Sequence, residues 1–410
     1  MIQTVKSGEL SLQEKSKKIQ TFFSHLVCSH CGTIHDKDRL QTWCQVSGCV
    51  EPLVAVYDIP QNLSKDILQH RPSNMWRYRE MLPVESHEHI VSLGEGMTPL
   101  LHAQALGAQI GLEQLLIKDE SGNPTTSFKA RGLSMAVSRA RELGVKSCVI
   151  PTAGNAGGAL SAYCAKAGMK AYVYMPVNTP EAIKTECRYF GGKVTEIDGN
   201  ISDCARQIKQ DANGQEWFDV STIKEPYRLE GKKTMGYELA EQLNWEVPDV
   251  ILYPTGGGTG LIGIWKALNE MEELGWIGKK RPRMVVVQTT GCPPIVRAFE
   301  QGLSKAPFFK NASTMANGLR VPAAFGDRMI LSTLKESHGT AIAVSDEEIL
   351  TAVAEIARHE GLLVAPEGAA TWAALKQLTA TGWVAKHEQV VLLNTGSGYK
   401  YLENFPALNQ

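Results

Sequence analysis

The feature that most constrains the fold is a regular alternation of short apolar runs and amphipathic stretches between residues 115 and 394. The apolar runs predict strands at 115–118, 147–151, 171–175, 193–197, 249–254, 284–288 and 390–394. The stretches predict helices at 128–143, 155–168, 180–190, 200–212, 230–243, 259–274, 346–360 and 368–380. Because strand–helix repeats require right-handed crossovers, we predict an α/β fold with mostly parallel sheets covered on both faces.

Charge and hydropathy indicate which kinds of partner the protein binds. The 410 residues carry 42 basic and 43 acidic side chains, which are interspersed along the chain and leave a net charge of -1. This balance disfavours a nucleic-acid groove or a membrane-surface helix, so we expect a small ligand in a local pocket. The chain has no apolar run of 18 residues, and its first thirty residues lack a signal-peptide pattern. We therefore expect a cytoplasmic protein without membrane or nucleic-acid partners.

The N-terminal region carries a cysteine pattern typical of a metal knuckle. An amphipathic helix is predicted at 10–25, and four cysteines follow it with C-x2-C and C-x4-C spacing: Cys28, Cys31, Cys44 and Cys49. Two thiolates from each tight turn suit a tetrahedral ion, and His30 or His35 could replace one of them. The alternative is four reduced thiols without metal. We predict a structural zinc, with residues 1–57 as the helix and knuckle segment, 58–97 as a connector and 98–410 as the catalytic region.

The predicted strands direct attention to the turns that follow them, because ligands of open α/β sheets bind at the carboxyl ends of strands. The turn after the strand at 147–151 is formed by Thr152, Ala153, Gly154, Asn155 and Ala156. Free N–H groups at a helix start hold a carboxylate well. The Asn155 amide could bind a phenolate oxygen, although the residue could equally be an ordinary helix cap.

A second turn, after the strand at 249–254, is rich in glycine and suits a phosphate. It comprises Gly256, Gly257, Gly258, Thr259 and Gly260. Glycines let the backbone approach a phosphate closely, and Thr259 adds a hydroxyl. The overlapping segment 258–263 also fits the G-x-G-x-x-G dinucleotide fingerprint. That interpretation requires an acidic residue after the next strand, where Gln288 and two threonines stand instead, so a nicotinamide cofactor is disfavoured.

Two further residues, Lys129 and Thr395, join these two turns as candidates for binding one cofactor. Lys129 begins a predicted helix after the polar turn 124–128, where a lysine is either a solvated surface residue or an amine with a lowered pKa in a dry pocket. Thr395 follows the buried strand at 390–394 and offers a neutral hydroxyl. An amine, an amide, a phosphate turn and a hydroxyl together suit a ring aldehyde that carries a phosphate arm.

The motifs resemble those of fold type II enzymes of the tryptophan-synthase-β type, which depend on pyridoxal phosphate (PLP). The matching segments are S-F-K at 127–129, G-N at 154–155, P-Y-R-x-E-G-x-K-T at 226–234 and T-G-x-G-x-K at 395–400. Within that class the chain is similar to the threonine synthases over about residues 92–400. The resemblance implies two three-layer α/β/α domains, a small mobile subdomain at about 135–235, an N-terminal segment like a zinc ribbon, a small amino-acid substrate and a homodimer.

The resemblance also implies roles for the residues. Lys129 would hold PLP and shuttle protons, Asn155 would contact the cofactor O3′ oxygen, and Thr395 would contact the pyridine nitrogen. The glycine turn at 256–260 would bind the cofactor phosphate. The turn at 152–156 would bind the substrate carboxylate, and Arg228 would bind the leaving phosphate. The implied reaction converts O-phosphohomoserine and water to threonine and phosphate.

Several positions depart from the threonine synthase pattern. Ala130 stands where that family usually has aspartate, and the G-G-G-T-G turn is dehydratase-like. Thr222, Ile223 and Glu225 occupy a stretch that usually offers phosphate donors, and an inward carboxylate would repel phosphate. These residues keep two alternatives open: a PLP-dependent ammonia-lyase or β-replacement enzyme, and a non-catalytic protein with the same fold.

Overall fold

A computed structural model describes residues 18–46, 48–61 and 63–405. The strands are β1 (Phe23–Cys28), β2 (Ile34–His35), β3 (Leu53–Tyr57), β4 (Leu100–His102), β5 (Leu115–Asp119), β6 (Ser147–Pro151), β7 (Lys170–Pro176), β8 (Lys193–Ile197), β9 (Phe218–Asp219), β10 (Val250–Pro254), β11 (Arg283–Thr289), β12 (Thr340–Val344) and β13 (Val390–Asn394). The helices are α1 (Gln104–Ile110), α2 (Lys129–Glu142), α3 (Ala156–Ala167), α4 (Glu181–Tyr189), α5 (Ile201–Asp211), α6 (Tyr227–Gln242), α7 (Thr259–Glu273), α8 (Pro294–Glu300), α9 (Asp327–Glu336), α10 (Asp346–Glu360) and α11 (Pro366–Ala380).

The strands form three sheets. A six-stranded sheet has the order β12-β11-β10-β13-β5-β4, and its pairs are parallel except for the edge pair β4 and β5. A four-stranded parallel sheet has the order β8-β7-β6-β9. A small antiparallel sheet, β2-β1-β3, carries the N-terminal cysteines. The predicted α/β class with mostly parallel sheets is confirmed.

The middle of the large sheet explains why its strands are apolar along their whole length. Every residue of β10 and β13 is buried, because helices cover both faces of the sheet. Strands in that position read as continuous runs of β-branched and aliphatic residues, not as alternating ones. Their carboxyl ends therefore emerge together at one edge of the sheet, at Pro254 and Asn394.

The predicted helix at 10–25 is wrong where it can be checked. Residues 10–17 lie outside the described part of the chain, whereas Phe23–Cys28 forms strand β1. Leu26 pairs with Ala55 of β3, and Val27 pairs with Val54. The spacing of Phe22, Phe23 and Leu26 fits either a helix or a strand, and pairing with β3 decides between them.

Helices α2 and α6 pack unusually closely, and glycines make the contact possible. A Cβ atom on Gly231 would lie 2.1 Å from the carbonyl oxygen of Arg131, and one on Gly132 would lie 3.1 Å from that of Arg228. The contact is reinforced by the fully buried Arg131 guanidinium, which donates to Glu120 at 2.5 and 2.8 Å and to Glu238 at 2.5 and 2.7 Å. The two helices are thus held as one rigid pair.

The small sheet docks on the outer side of this pair. The Tyr57 hydroxyl of β3 donates to Glu230 Oε2 on α6 at 2.7 Å. Lys233 lies 3.8 Å from the centre of the Tyr57 ring, and the Lys233 amine contacts Glu230 at 2.6 Å. The predicted boundaries at residues 57 and 97 and the predicted subdomain stay predictions. None of the helices in the described ranges combines the length and apolarity that crossing a bilayer requires.

Candidate active site

A cleft of about 310 Å³ opens where strands β6, β10 and β13 end. Its walls include Lys129, the whole turn from Thr152 to Ala156, the segment Gly256–Thr259 and Thr395. Elements far apart in the sequence therefore bring most of the predicted site residues to one cavity. Gly260 and Arg228 lie behind the walls of this cleft and do not line it.

Lys129 is the first residue of α2, and its amine faces the cleft. The Nζ atom lies 4.0 Å from the centre of the neighbouring Phe128 ring. Burial by the surrounding protein and the charge of Arg228 lower the pKa of Lys129 to about 7, although Glu367 opposes the shift. A substantial fraction of the amine is therefore neutral, and so nucleophilic, near neutral pH.

Asn155 precedes helix α3, but its side chain makes no capping hydrogen bond to the helix. Its Nδ2 donates instead to the Tyr401 hydroxyl at 3.2 Å, and its Oδ1 has no hydrogen-bond partner within the described ranges. The turn carries a second polar group, the hydroxyl of the buried Thr152. This hydroxyl accepts from Gly154 N–H at 3.2 Å. The amide thus faces the cleft with bonding capacity to spare.

The glycines of the turn before α7 are required by close contacts. A Cβ on Gly256 would lie 2.2 Å from the Gly318 carbonyl oxygen, and one on Gly257 would lie 2.6 Å from Thr222 Cγ2. Gly258 has a φ of +73°, in the left-handed region that favours glycine. The bare backbone leads directly into α7, whose first N–H groups have no acceptor within the helix. The turn is therefore suited to an anion.

Thr395 and Lys129 are held next to each other by the backbone. The Thr395 carbonyl accepts from Phe128 N–H at 3.1 Å, and Ser127 bridges to Gly396. The Ser127 hydroxyl is buried and unpartnered among the described residues. The end of β13 consequently fixes the position of the turn that carries the lysine.

Glu225 lies in the stretch that departs from the threonine synthase pattern, and its carboxylate is bonded to the backbone at the start of α6. Its oxygens accept from the backbone N–H groups of Tyr227 at 2.8 Å and Arg228 at 3.2 Å, so it caps the start of α6. Burial raises the pKa of Glu225 to about 7, with the Arg228 charge opposing the shift. Arg228 donates through Nη1 to the Val220 carbonyl at 2.6 Å, whereas its Nε and Nη2 are buried without partners in the described chain.

Sequence reasoning missed three polar side chains of the cleft. Lys232 on α6 lines the cavity and is 1% exposed. Glu367 at the start of α11 accepts from Gly318 N–H at 2.7 Å, and the Tyr401 hydroxyl lies 3.4 Å from Glu367 Oε1. Lys232 falls at a variable position of the quoted P-Y-R-x-E-G-x-K-T segment, and a lysine among buried helix positions was the available signal.

Comparison with known proteins defines the class. The profile of a family described as pyridoxal-phosphate dependent enzyme matches residues 91–396, and the chain belongs to this family. It is 36% identical to the threonine synthase of Methanocaldococcus jannaschii over 374 residues, which cover 91% of this chain and 92% of that protein. It is 34% identical to the threonine synthase of Mycobacterium tuberculosis over 330 residues, which cover 80% and 89%. Within the PLP-dependent enzymes the chain is thus a member of the threonine synthase family.

The fold is also shared more widely. The structure of maize serine racemase is similar with a TM-score of 0.64 at 22% identity, covering 75% of this chain and 93% of that chain. At this identity the likeness concerns the fold alone. It agrees with the resemblance to fold type II enzymes that the motifs indicate.

The residues of the cleft fit PLP. An amine with a lowered pKa, a helix-start turn whose glycines have no room for a Cβ, and a cleft-facing amide match an aldehyde, a phosphate and a phenolate oxygen respectively. The GxGxxG alternative is not supported, because Gln288, within β11, stands where that motif needs an acidic residue, and its side chain is held by neighbouring backbone groups. It donates to the Thr255 carbonyl at 3.1 Å and accepts from Ile295 N–H at 2.9 Å.

The four N-terminal cysteines converge as the knuckle pattern predicts. Their sulfur atoms all lie within 4.8 Å of one another, with 3.5 Å between Cys28 and Cys49 and 3.7 Å between Cys31 and Cys44. A tetrahedral zinc with bonds of about 2.3 Å separates its sulfur ligands by roughly 3.8 Å. The geometry therefore suits such an ion.

Proposed function

We propose that this protein is a threonine synthase that converts O-phosphohomoserine and water to threonine and phosphate with bound PLP. The observation that carries the proposal is the sequence identity of 36% with a threonine synthase, in an alignment that covers 91% of this chain. The cleft supports it, because Lys129 and the glycine turn line the same cavity. The enzyme is accordingly a PLP-dependent lyase acting on a small amino acid.

Each predicted site residue receives a role in this proposal, including Gly260 and Arg228, which do not line the cleft. Lys129 holds the cofactor, Asn155 contacts its O3′ oxygen and Thr395 its ring nitrogen. Gly256, Gly257, Gly258, Thr259 and Gly260 hold the cofactor phosphate. Thr152, Ala153, Gly154, Asn155 and Ala156 hold the substrate carboxylate. Arg228 binds the leaving phosphate, and its two unpartnered guanidinium nitrogens supply the donors.

The chemistry follows from these positions. Bound PLP supplies an electron sink that makes the protons on the substrate Cα and Cβ removable. The Lys129 amine, with its pKa lowered to about 7, accepts a proton from carbon at neutral pH and returns it later. The hydroxyl of Thr395 cannot carry a negative charge near neutral pH, so the ring nitrogen is not forced into its protonated form. Arg228 stabilises the phosphate as it leaves, and water then adds at Cβ.

The test is a product assay with the purified full-length enzyme. Incubation with O-phosphohomoserine should release phosphate and threonine in equal amounts. Release of ammonia and a 2-oxoacid from threonine or serine, without threonine formation, would instead favour the ammonia-lyase or β-replacement alternative that Ala130 and the G-G-G-T-G turn suggest. The absence of both reactions would contradict both proposals and favour a non-catalytic role.

The role of Lys129 is tested by Lys129→Ala. The variant should lose the visible absorbance band of the enzyme and lower kcat on the order of a thousandfold or more, because it lacks the amine that holds the cofactor and moves the proton. The exposed Lys166→Ala at the end of α3 is the matched control and should keep both properties. A Lys129→Ala variant with an unchanged spectrum would contradict the assignment.

Three further features belong to the same proposal. Cys28, Cys31, Cys44 and Cys49 bind one structural zinc, supported by the sulfur distances. The four-stranded sheet with its helices is the small mobile subdomain at about 135–235. The enzyme works as a homodimer in the cytoplasm, which light scattering of the purified protein and fractionation of cells would test.

A further inference from the structure

Lys232 is a second amine in the cleft that nothing above uses. It projects from α6 across Gly132 of α2, where a Cβ would lie 3.2 Å from Lys232 Cε. Gly132 therefore leaves the space through which this side chain reaches the cavity. At its tip, Nζ donates to the Thr259 hydroxyl at 2.5 Å. Thr259 is the first residue of α7, directly after the glycine turn.

The surroundings of Lys232 are cationic. Its Nζ lies 4.5 Å from the centre of the Phe128 ring, and Lys129 Nζ lies 4.0 Å from the centre of the same ring. Burial, and then the charges of Lys129 and Arg228, lower the pKa of Lys232 well below its ordinary value. The three cations are thus close enough to disfavour one another's charged forms.

The charge of Glu225 raises the pKa of Lys232 and so opposes the shift, but burial and the two neighbouring cations outweigh it. Glu225 accepts from two backbone N–H groups at the start of α6, and Glu367 accepts from Gly318 N–H. Lys232 forms no ion pair among the described residues, in contrast to its neighbour Lys233, which contacts Glu230 at 2.6 Å. A buried cation is stable only when an anion or a set of acceptors accompanies it. A dianionic ligand at the glycine turn would supply that partner.

We propose that Lys232 binds a phosphate monoester, the 5′-phosphate of the cofactor, together with the backbone N–H groups of the glycine turn and the Thr259 hydroxyl. The hydrogen bond from Lys232 to Thr259 already places the ammonium group beside the helix start that the phosphate would occupy. The same chemistry could serve the phosphate of the substrate, and the two sources are separated below. The inference rests on the cofactor and not on the identity of the amino-acid substrate.

The test compares PLP with pyridoxal, which lacks the phosphate. Full-length enzyme stripped of its cofactor is titrated with each compound and followed by absorbance and equilibrium dialysis. Lys232→Gln should weaken PLP binding at least tenfold and change pyridoxal binding less than twofold. Lys232→Arg keeps the charge and should restore most of the PLP affinity. The surface variant Lys166→Gln should bind both compounds as the parent enzyme does.

Two further outcomes decide the source of the phosphate and the validity of the inference. Unchanged PLP binding combined with weaker binding of O-phosphohomoserine, but not of homoserine, would assign Lys232 to the substrate phosphate and overturn the cofactor assignment. An equal loss for PLP and pyridoxal, or no loss for either compound or for the phosphorylated substrate, would overturn the phosphate role. The phosphorus NMR signal of PLP in the holoenzyme gives an independent readout, because removing a neighbouring ammonium should shift its resonance.

Discussion

At the scale of single residues, the lysine at the start of α2 owes its chemistry to where it lies. An ordinary lysine has a pKa of about 10.4 and is almost wholly protonated at neutral pH. Burial removes much of the stabilisation that water gives to the ammonium form of Lys129. The positive charge of Arg228 disfavours that form further. The same effects leave more of the amine in the neutral form, which acts as nucleophile and base near neutral pH.

A pH profile follows from this lowered pKa. The rate at which pyridoxal attaches to cofactor-free enzyme should rise with pH through a midpoint at about 7 and level off above it. The sign follows because only the neutral amine attacks, and a lowered pKa increases the neutral fraction of the amine at any given pH. Pyridoxal is chosen because it has no phosphate that titrates in this range. A rate that climbs without levelling to pH 9 or beyond would contradict the shift.

At the scale of secondary-structure elements, helix α7 offers an internal comparison. Gly258 precedes it and Gly275 follows it, with φ values of +73° and +72°. A Cβ on Gly258 would lie 2.3 Å from Ile330 Cδ1, whereas no heavy atom of the described chain lies within 4 Å of a Cβ on Gly275. The two ends thus share backbone strain and differ in packing.

Alanine at these two positions should separate strain from packing. Gly275→Ala should lower the free energy of unfolding by roughly 1–2 kcal/mol, the ordinary cost of a left-handed alanine. Gly258→Ala should lower it by about 1–3 kcal/mol more, since Ile330 is overpacked. It should also release PLP faster, because the turn proposed to bind the phosphate must shift. Urea denaturation and dialysis measure the two effects, and equal losses at both positions would contradict this account of the turn.

The cysteine cluster makes a second prediction for an element. Purified protein should contain one zinc per chain by elemental analysis, and Cys44→Ser should remove most of it, since thiolates hold the ion and hydroxyls do so poorly. The cofactor spectrum should persist, because the cluster lies on the small sheet and not in the cleft. Cys204→Ser, a buried cysteine outside the cluster, is the control and should retain the metal. A protein with intact thiols that binds no zinc would refute the assignment.

The elements also show where sequence reasoning succeeds. Strands β10 and β13 could be predicted because burial on both faces demands unbroken apolar runs. The two-residue β9 and three-residue β4 could not, since such short pairings depend on neighbours in space. Strand β12 also escapes prediction. It begins at the end of the weakly periodic region 289–340, and most of its residues are half-buried at a sheet edge.

The same division holds at the cleft. The glycine turn at 256–260 and Lys129 carry local motifs, so the sequence reveals them. Lys232, Glu367 and Tyr401 matter through burial and through contacts between distant elements, which local spacing does not encode. Glu225 shows the limit of sequence reasoning. Its negative charge suggests that it repels phosphate, whereas its hydrogen bonds show that it caps the start of α6.

At the scale of the whole molecule, the fully buried ion cluster around Arg131 ties α2, α6 and the turn after β5 together. Burial raises the pKa of Glu238, but the charges of Arg131 and Lys118 outweigh it and lower the pKa to about 2. A carboxyl group with a lowered folded-state pKa stabilises the protein above the unfolded value of about 4.3 and loses that contribution as the pH falls further. The cluster should therefore contribute to acid unfolding between pH 4.3 and 2.

Removing the guanidinium should be costly. Arg131→Ala leaves Glu120 and Glu238 buried without their partner and should lower the free energy of unfolding by about 3–5 kcal/mol. Arg188→Ala removes a surface arginine that pairs with Glu181 and Glu196 and should cost no more than about 1 kcal/mol. Urea denaturation at pH 7 compares the two variants. Similar losses would show that the buried cluster contributes no more than a surface pair.

The close contact between α2 and α6 at Gly132 and Gly231 bears on which wall of the cleft can move. Lys129, Arg228 and Lys232 all lie on these two helices, whose backbones approach closely at Gly132 and Gly231. The Lys129 amine and its two cationic neighbours are therefore held on one closely packed unit. We therefore expect the segment from Thr152 to Ala156, at the end of β6 on the separate four-stranded sheet, to move relative to this unit when the cleft admits and encloses a substrate.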